Sequence, residues 1–220
     1  YNVATPESLS IRVATRVRNS MFRIFMTLLA PGRDDTVLDI GVTSDRDYSS
    51  SNYFERLYPW KDRIVAAGLD GASFLEEHDP GLRFVEAGGR DLPFMDRSFY
   101  FVHSSAVLEH VGSFENQGRM VAECLRVARR GVCLTTPNRW FPIEFHTCLP
   151  LIHWLHKTFC RTIFRRLGFV FFADEDNLNL MSKAELHQIA ALHPDWSFRV
   201  VSPRLWGWPS NLMLIGTRIK

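Results

Sequence analysis

Acidic and glycine residues stand where the short apolar runs of this sequence end, and their types favour a nucleoside-containing ligand. Asp39 and Gly41 close the first run, at 36–41, and Asp70 closes the second, at 63–70. A carboxylate at a strand end can accept both hydroxyls of a ribose, and glycine lets the backbone approach a ligand closely. Gly88 and Gly89 follow the third run and can present backbone donors to an adenine edge. The Asp39 carboxylate can also attract an ammonium group.

These residues need a sheet to bring them together, and the apolar runs predict one. Short apolar runs bounded by turn residues are typical of buried strands. The predicted strands are 36–41, 63–70, 82–86, 98–104, 132–136, 197–201 and 212–218. Helix start and stop signals lie between and around them. We expect a helix from Thr5-Pro6-Glu7 to Pro31-Gly32, one at 53–58, one from a Ser73/Glu76 capping box, one from Ser113 stopped by Gly131, and one from a Ser182/Glu185 capping box to about Leu192.

Alternation of strands and helices predicts an α/β fold with right-handed crossovers. We expect a Rossmann-like, doubly wound sheet of seven mostly parallel strands, in which the last strand is antiparallel because no helix precedes it. The chain is predicted to be a single domain over 1–220, with an N-terminal helical cap at 1–32 and a helical lid insertion at 141–180. In such sheets ligands bind at the carboxyl ends of the strands.

Composition excludes several classes of protein. Of the 220 residues, 46% are hydrophobic and 23% charged, as expected of one globular domain. The net charge of +2 gives no indication of a nucleic-acid partner, and none is expected. The four cysteines are too few for a disulfide scaffold and favour a reducing, cytoplasmic compartment. The sequence has no uncharged apolar run long enough to predict a membrane span. The chain opens at Tyr1 without a leader-like segment, and we expect it to be trimmed or partial.

Two longer motifs resemble those of a known enzyme family. The run 92–99, LPFMDRSF, is followed by 104–111, SSAVLEHV. The pair resembles the class I S-adenosylmethionine (SAM)-dependent methyltransferases, in particular the small-molecule subgroup with LPF and VLEH motifs. The segment 37–41, VLDIG, is similar to the first motif of that family, and 123–127 and 135–138 look like its later helix and strand.

The resemblance implies that SAM is the cofactor and lies across the strand ends. Asp39 and Gly41 would flank its methionine part, Asp70 would bind the ribose, and Gly89 and Arg90 would present backbone to the adenine edge. With the neighbouring positions, the implied cofactor residues are Asp39, Gly41, Thr43, Leu69, Asp70, Gly71, Gly89, Arg90, Ser104 and Val107. The sequence departs from the family where 42–45, VTSD, replaces further glycines, and there Thr43 or Asp45 would supply side-chain contacts instead.

His110 is the candidate catalytic base. It follows the fourth predicted strand, on the segment that faces the acceptor in the family, and histidine titrates near neutral pH. The alternative is that His110 only packs or caps.

The insertion at 141–180 is predicted to build the acceptor pocket, with Trp140, His146 and Trp154 as substrate-binding residues. It could instead form an amphipathic surface for a lipid-linked or glycan-linked acceptor, with peripheral contact to a membrane, or simply a packed extra helix. No metal is expected. Cys148, His153, His156 and Cys160 have no common zinc-site spacing.

The leading hypothesis is a SAM-dependent methyltransferase that acts on oxygen or nitrogen of a small molecule or a cell-envelope precursor, in the cytoplasm or at a membrane surface. A nicotinamide-dependent oxidoreductase would need G-x-G-x-x-G after the first strand, which the sequence lacks. A methyltransferase-like binding or scaffold protein without turnover is the remaining alternative, and the residues at 42–45 favour it.

Overall fold

The computed structural model describes residues 8–48 and 50–219, and the predicted helix start at Thr5-Pro6-Glu7 lies outside them. The first described helix is capped by Ser8, whose side chain accepts a hydrogen bond from the Ile11 amide. The helices are α1 (Leu9–Leu29), α2 (Tyr53–Leu57), α3 (Phe74–His78), α4 (Phe114–Val127), α5 (Lys157–Arg166) and α6 (Lys183–Ala191). The strands are β1 (Val37–Ile40), β2 (Ile64–Gly68), β3 (Arg83–Glu86), β4 (Phe99–Ser105), β5 (Ala128–Pro137), β6 (Trp196–Val201), β7 (Arg204–Leu205), β8 (Trp208–Pro209) and β9 (Asn211–Arg218).

Seven of these strands form one sheet in the order β3-β2-β1-β4-β5-β9-β6, which confirms the predicted doubly wound fold. Strands β1 to β5 pair in parallel, and β9 runs antiparallel to both β5 and β6. The strand order reverses between β1 and β4, where the two strands pair side by side. In open α/β sheets this reversal opens a crevice at the carboxyl ends of the strands.

The alternation of side chains along each strand divides the core into two layers. On one face, Leu38 and Ile40 of β1 pack with α4 and α6. On the other face, Val37 packs with α1, α2 and α3. Asp39 shares the second face, so its carboxyl is placed among apolar side chains rather than in water.

Two predicted helix signals were wrong. Ser73 makes no capping hydrogen bond, because its backbone is helical rather than extended. The Glu76 carboxylate accepts a hydrogen bond from the Phe84 amide instead, at 2.8 Å. Gly131 does not stop α4 but lies inside β5, paired with Phe101. A Cβ at position 131 would lie 2.9–3.0 Å from side-chain atoms of Leu29 and Phe101, so the glycine permits close packing of α1 on the sheet.

The segment between β5 and α6, which contains the predicted insertion, has its own small core. Cys160 and Phe164 of α5 pack there with Phe172, Ala173, Leu178 and Leu180. A bridge between Asn138 and Met181 joins the two ends of the segment. The amide of Asn179 donates to the carbonyl of Glu109 at 2.7 Å, which ties the segment to the turn after β4. None of the described helices is long and apolar enough to cross a bilayer.

Candidate functional site

A cavity of about 120 Å³ lies at the carboxyl ends of β1 and β4, where the sheet order reverses. The loop that follows β1 forms one side of it, and α1 and α2 contribute polar side chains. Its lining includes Arg18, Asp39, Gly41, Thr43, Asn52, Tyr53, Glu55 and Ser105. The cavity therefore lies where the sequence predicted a ligand, with both signs of charge in its wall.

Asp39 and His103 form a buried polar pair beneath the cavity. The carboxylate of Asp39 hydrogen-bonds the Nδ1 atom of His103, and the hydroxyl of Tyr53 lies 3.3 Å from Nε2. Burial raises the pKa of Asp39 to about 7 and lowers the pKa of His103 to about 3. Phe54 stacks on the imidazole with ring centroids 4.2 Å apart, so this histidine is a core residue with satisfied nitrogens.

Glu55 forms a buried pair with Asp39. The residue is 1% exposed, and its carboxyl is hydrogen-bonded to the carboxyl of Asp39. Burial, and then the negative charge of Asp39 and the hydrogen bond to it, raise the pKa of Glu55 well above its ordinary value. Two buried carboxyls are costly to ionise together, and a bound cation lowers that cost.

Arg18 brings a positive charge to the same cavity. It projects from α1, lies over the Tyr53 ring at 5.7 Å, and donates from Nη1 to the carbonyl of Ser50. Burial lowers the pKa of its guanidinium, and the charges of Tyr53, Glu109 and Asp45 oppose that shift. The guanidinium thus lies within electrostatic reach of both the cavity and the turn after β4.

Gly41 occupies the turn that ends β1, with a φ of +102°. A Cβ at this position would overlap with Cγ2 of Val107, so the Val107 side chain lies directly against the glycine. The amide of Gly41 donates to the carbonyl of Ala67 at 2.7 Å. The structure thus brings together two of the predicted cofactor residues, Gly41 and Val107.

The bulkier loop after Gly41 is held by its own side chains. The Asn52 amide brackets Thr43, accepting from its backbone N–H at 3.0 Å and donating to its carbonyl at 2.9 Å. Asp45 accepts from the Asp47 amide and from the Ser51 hydroxyl, so its carboxylate stabilises the loop itself. Thr43 lines the cavity, as predicted for a cofactor residue, but Asp45 is not in its lining.

The predicted nucleoside residues lie at the ends of β2 and β3, which are neighbours in the sheet. Leu69, Asp70 and Gly71 are exposed, and the Leu69 side chain lies over Gly88. Gly89 is buried, with the side chains of Met120 and Ile40 in the space that a Cβ would need. Arg90 is exposed. The exposed members of this group, Leu69 to Gly71 and Arg90, form an open surface beside the cavity.

Ser104 differs from the other predicted residues because its side chain is fully engaged. It is 1% exposed, and its hydroxyl donates to the carbonyl of Ile40 at 2.9 Å. A ligand could contact its backbone only, and the adjacent Ser105 lines the cavity in its place.

His110 and His146 meet across the turn after β4. Their ring centroids are 4.9 Å apart at an interplanar angle of 89°. The Nδ1 atom of His110 donates to the carbonyl of Asn177 at 2.5 Å, and Nε2 lies 3.9 Å from Oε1 of Glu109. Thr136 donates to Oε2 of Glu109, but Oε1 is buried without a hydrogen-bond partner. The catalytic and one of the substrate-binding predictions therefore fall at a single polar cluster.

A second carboxylate orients His146. Oε1 of Glu144 accepts from Nδ1 of His146 at 2.7 Å, and Oε2 accepts from the amide and hydroxyl of Thr147, both at 2.6 Å. Burial alone would raise the pKa of Glu144, but the hydrogen bonds from His146 and Thr147 hold it at about 2. In turn Glu144 outweighs the effect of burial on His146 and raises its pKa.

The other two predicted substrate residues form a separate aromatic group. Trp140 and Trp154 make an edge contact with centroids 6.3 Å apart, and Trp208 stacks on Trp154 at the same distance. Trp140 and Trp208 are about half exposed. Within the described residues, Cys148, His153, His156 and Cys160 supply no group of three close metal-ligating atoms.

Sequence reasoning missed Glu55 and Asn52. Glu55 lies in a short helix whose spacing gives no sign that a charged residue is buried. Asn52 could have been noticed, since asparagine readily adopts a left-handed backbone, and its φ here is 45°. Arg18, on the predicted first helix, was not among the predicted site residues either.

The comparisons with known proteins agree with this architecture. Residues 64–135 match the family model described as "Methyltransferase domain". A magnesium protoporphyrin IX methyltransferase from Synechocystis PCC 6803, crystallised with bound S-adenosylhomocysteine (SAH), has a TM-score of 0.58 at 15% identity over 96% of this chain and 86% of that one. The sequence matches no curated protein.

Two further solved structures have the same fold. A SAM-dependent methyltransferase from Thermotoga maritima has a TM-score of 0.59 at 14% identity, covering 94% of this chain and 92% of its own. The PH0226 protein from Pyrococcus horikoshii has a TM-score of 0.62 at 12% identity, covering 100% and 95%. Residues 64–135 thus match a methyltransferase-domain model, and the chain as a whole has the fold of these solved structures.

Proposed function

We propose that this chain transfers the methyl group of SAM to an oxygen or nitrogen atom of a small molecule or a cell-envelope precursor. The observation that carries the proposal is the buried carboxyl pair of Asp39 and Glu55 in the same cavity as the guanidinium of Arg18. The methionine part of SAM bears one ammonium and one carboxylate group. The cavity offers Arg18 to the carboxylate, and it offers the Asp39–Glu55 pair to the ammonium, whose charge would favour the ionised form of that pair.

The residues present therefore fit the cofactor. Glu55, with Asp39 beside it, would take the ammonium group, and Arg18 would take the carboxylate. Charge-assisted hydrogen bonds of this kind are the strong ones, and here they would form out of bulk water. The adenosine would lie over the surface beside the cavity, with Asp70 at the ribose and Gly89 at the adenine. Bound SAM supplies a methyl group activated by the positive charge on sulfur.

Methyl transfer is an in-line displacement, and positioning provides most of the catalysis. The bond from the acceptor atom to the methyl carbon forms as the sulfur–carbon bond breaks, and its electron pair returns to sulfur to give neutral SAH. An acceptor with an O–H or N–H group must also lose a proton. Because Nδ1 of His110 donates to the Asn177 carbonyl, Nε2 carries the lone pair that can accept that proton.

The acceptor pocket is proposed to involve His146 at the polar cluster and Trp140 and Trp154 in the aromatic group. Exposed aromatic side chains on this segment, with basic residues at the end of α5, suit a lipid-linked or glycan-linked acceptor and peripheral contact with a membrane surface. A small soluble acceptor of the cytoplasm is the simpler possibility for the same pocket.

The second candidate is a methyltransferase-like binding protein without turnover. The Val107 side chain against Gly41 favours this alternative, since it narrows the approach to the turn after β1. A protein of this kind would bind SAM and SAH or neither, but would not consume the donor in the presence of any acceptor.

Calorimetric titration with SAH tests the proposal, with Arg18→Met as the informative variant. Losing a charge-assisted hydrogen bond costs about 1.5–3 kcal/mol, so we expect binding about 10-fold to 100-fold weaker. Arg16→Met is the matched control, because Arg16 is an exposed residue of the same helix. Equal affinities of wild type and Arg18→Met would contradict the placement of the cofactor.

Consumption of SAM over a panel of acceptors then separates enzyme from binding protein. We expect turnover that His110→Ala abolishes while SAH affinity is retained. Unchanged turnover in His110→Ala would remove this histidine from the mechanism.

A further inference from the structure

The polar cluster at the turn after β4 has the composition of a metal site. Glu109, His110 and His146 each offer one potential ligand atom, and these atoms all lie within 4.8 Å of one another. Two imidazoles and a carboxylate are a donor set that divalent transition metals favour. We infer that these three residues bind a divalent transition-metal ion, such as Zn²⁺, Co²⁺ or Mn²⁺, beside the methyl-donor cavity.

Glu109 gives the independent reason to expect a ligand. Its side chain is fully buried, and Thr136 satisfies Oε2 with a hydrogen bond of 2.9 Å. Oε1 has no hydrogen-bond partner, and Nε2 of His110 lies 3.9 Å away from it. A carboxylate oxygen held dry and unpaired is costly, and a cation bound at this point removes the cost.

Both imidazoles are held in the tautomer that coordination requires. His110 donates from Nδ1 to the Asn177 carbonyl at 2.5 Å, and His146 donates from Nδ1 to the Glu144 carboxylate at 2.7 Å. Each Nε2 is therefore left with its lone pair. Metal-ligating histidines almost always have this arrangement, with the second nitrogen bonded to a carbonyl or carboxylate.

The three ligand atoms can reach bonding distance with small movements. Ligand atoms held about 2.0–2.2 Å from a metal lie about 3.0–3.5 Å apart, so separations of up to 4.8 Å must shorten by at most about 1.8 Å. The side chains of His110 and His146 are 33% and 17% exposed, which leaves them room to move and leaves the site open to solvent. Three protein ligands leave coordination positions free for a further group.

The position of the site gives it a role in choosing the acceptor, a step that rests on the proposed function. Arg18 lines the donor cavity and interacts with the charge of Glu109, and Ser105 and Ala106 of the same cavity precede Glu109 in the chain, so the two sites are neighbours. With the ion bound, Nε2 of His110 is a metal ligand and no longer the base of the metal-free site. An acceptor hydroxyl bound to the ion would then lose its proton to solvent more readily, because a bound cation lowers the pKa of an oxygen ligand. The freed lone pair then forms the bond to the methyl carbon. The site thus favours oxygen acceptors.

Co²⁺ titration of the metal-free chain tests the site without any assay of activity. Calorimetry and visible absorption measure the binding. We expect one equivalent to bind, and Zn²⁺ to displace it. His146→Ala and Glu109→Gln should each weaken binding at least about 10-fold, since even outer-shell changes at metal sites have effects of this size. His187→Ala is the control, because His187 is an exposed residue of α6.

Wild-type protein that shows no saturable binding of Co²⁺, Zn²⁺ or Mn²⁺ below about 1 mM would overturn the inference. Equal Co²⁺ affinity of wild type and His146→Ala would do the same. His146 is partly exposed, so its variant remains informative if Glu109→Gln fails to fold. SAH titration of the same samples distinguishes the two proposals. A wild-type protein that does not bind SAH counts against the proposed function, and one that does not bind Co²⁺ counts against the metal site.

Discussion

Glu55→Gln should abolish a loss of stability that the wild type suffers as the pH rises. In the unfolded chain Glu55 ionises near its ordinary pKa of 4.5, whereas burial keeps it protonated in the folded protein to a much higher pH. The folded state then holds one more proton than the unfolded state, so the free energy of unfolding falls with increasing pH. The stabilising contribution is complete below the ordinary pKa and is lost as the pH rises through the raised one.

The slope follows from one proton. A difference of one bound proton changes the free energy of unfolding by about 1.4 kcal/mol per pH unit, which amounts to about 2–3 kcal/mol between pH 5 and pH 7. The neighbouring pair largely cancels over this range. The pKa of Asp39 is raised from 3.8 to about 7, and that of His103 is lowered from 6.5 to about 3, which gives slopes of opposite sign. Other titrating groups are common to wild type and variant, so the difference between the two isolates the contribution of Glu55.

Urea denaturation at pH 5, 6, 7 and 8 measures the effect, as the difference between wild type and Glu55→Gln at each pH. We expect the difference to grow in favour of the variant as the pH rises. Glu77→Gln, at an exposed glutamate of α3, should give a difference that does not change with pH. Parallel curves for wild type and Glu55→Gln would refute the buried, protonated carboxyl on which the cofactor site rests.

Three further changes have defined outcomes. Gly41→Ala should lower the free energy of unfolding by about 1–3 kcal/mol and weaken SAH binding, because a φ of +102° strains alanine and its Cβ overlaps Val107; denaturation and calorimetry measure both. Asp70→Asn should weaken SAH binding about 10-fold while leaving the unfolding free energy within about 0.5 kcal/mol, since Asp70 is exposed. Arg126→Met should cost about 1–3 kcal/mol in urea denaturation without changing SAH affinity, because its guanidinium donates to the carbonyls of Leu92 and Phe94.

The fold followed from the sequence because its signals are local and repeated. Apolar runs such as 37–40 and 64–68 predict buried strands from the sequence, and the structure has buried strands there. The absence of a helix before β9 indicated that this strand runs antiparallel. The signals that failed depend on tertiary contacts. Gly131 looks like a helix stop in sequence, but its lack of a side chain is needed where α1 packs on the sheet.

The candidate site divides in the same way. Residues placed by parallel strand ends, such as Asp39, Gly41 and Asp70, could be proposed because the topology alone brings them to one edge. Contacts across long loops could not. The spacing of His110 and His146 does not indicate that their rings are in contact. The contact depends on how the segment between β5 and α6 folds around its own core. The burial of Glu55 is likewise a property of the packing of α1 and α2.

A crystal structure of the protein with SAH is the most direct test of where the methyl donor binds. We predict the SAH carboxylate at the guanidinium of Arg18, its amino group within hydrogen-bond distance of Glu55, and its ribose hydroxyls at Asp70. Density for SAH at any other place would contradict this account. So would side chains of the protein that move into the cavity at the ends of β1 and β4 and exclude SAH from it.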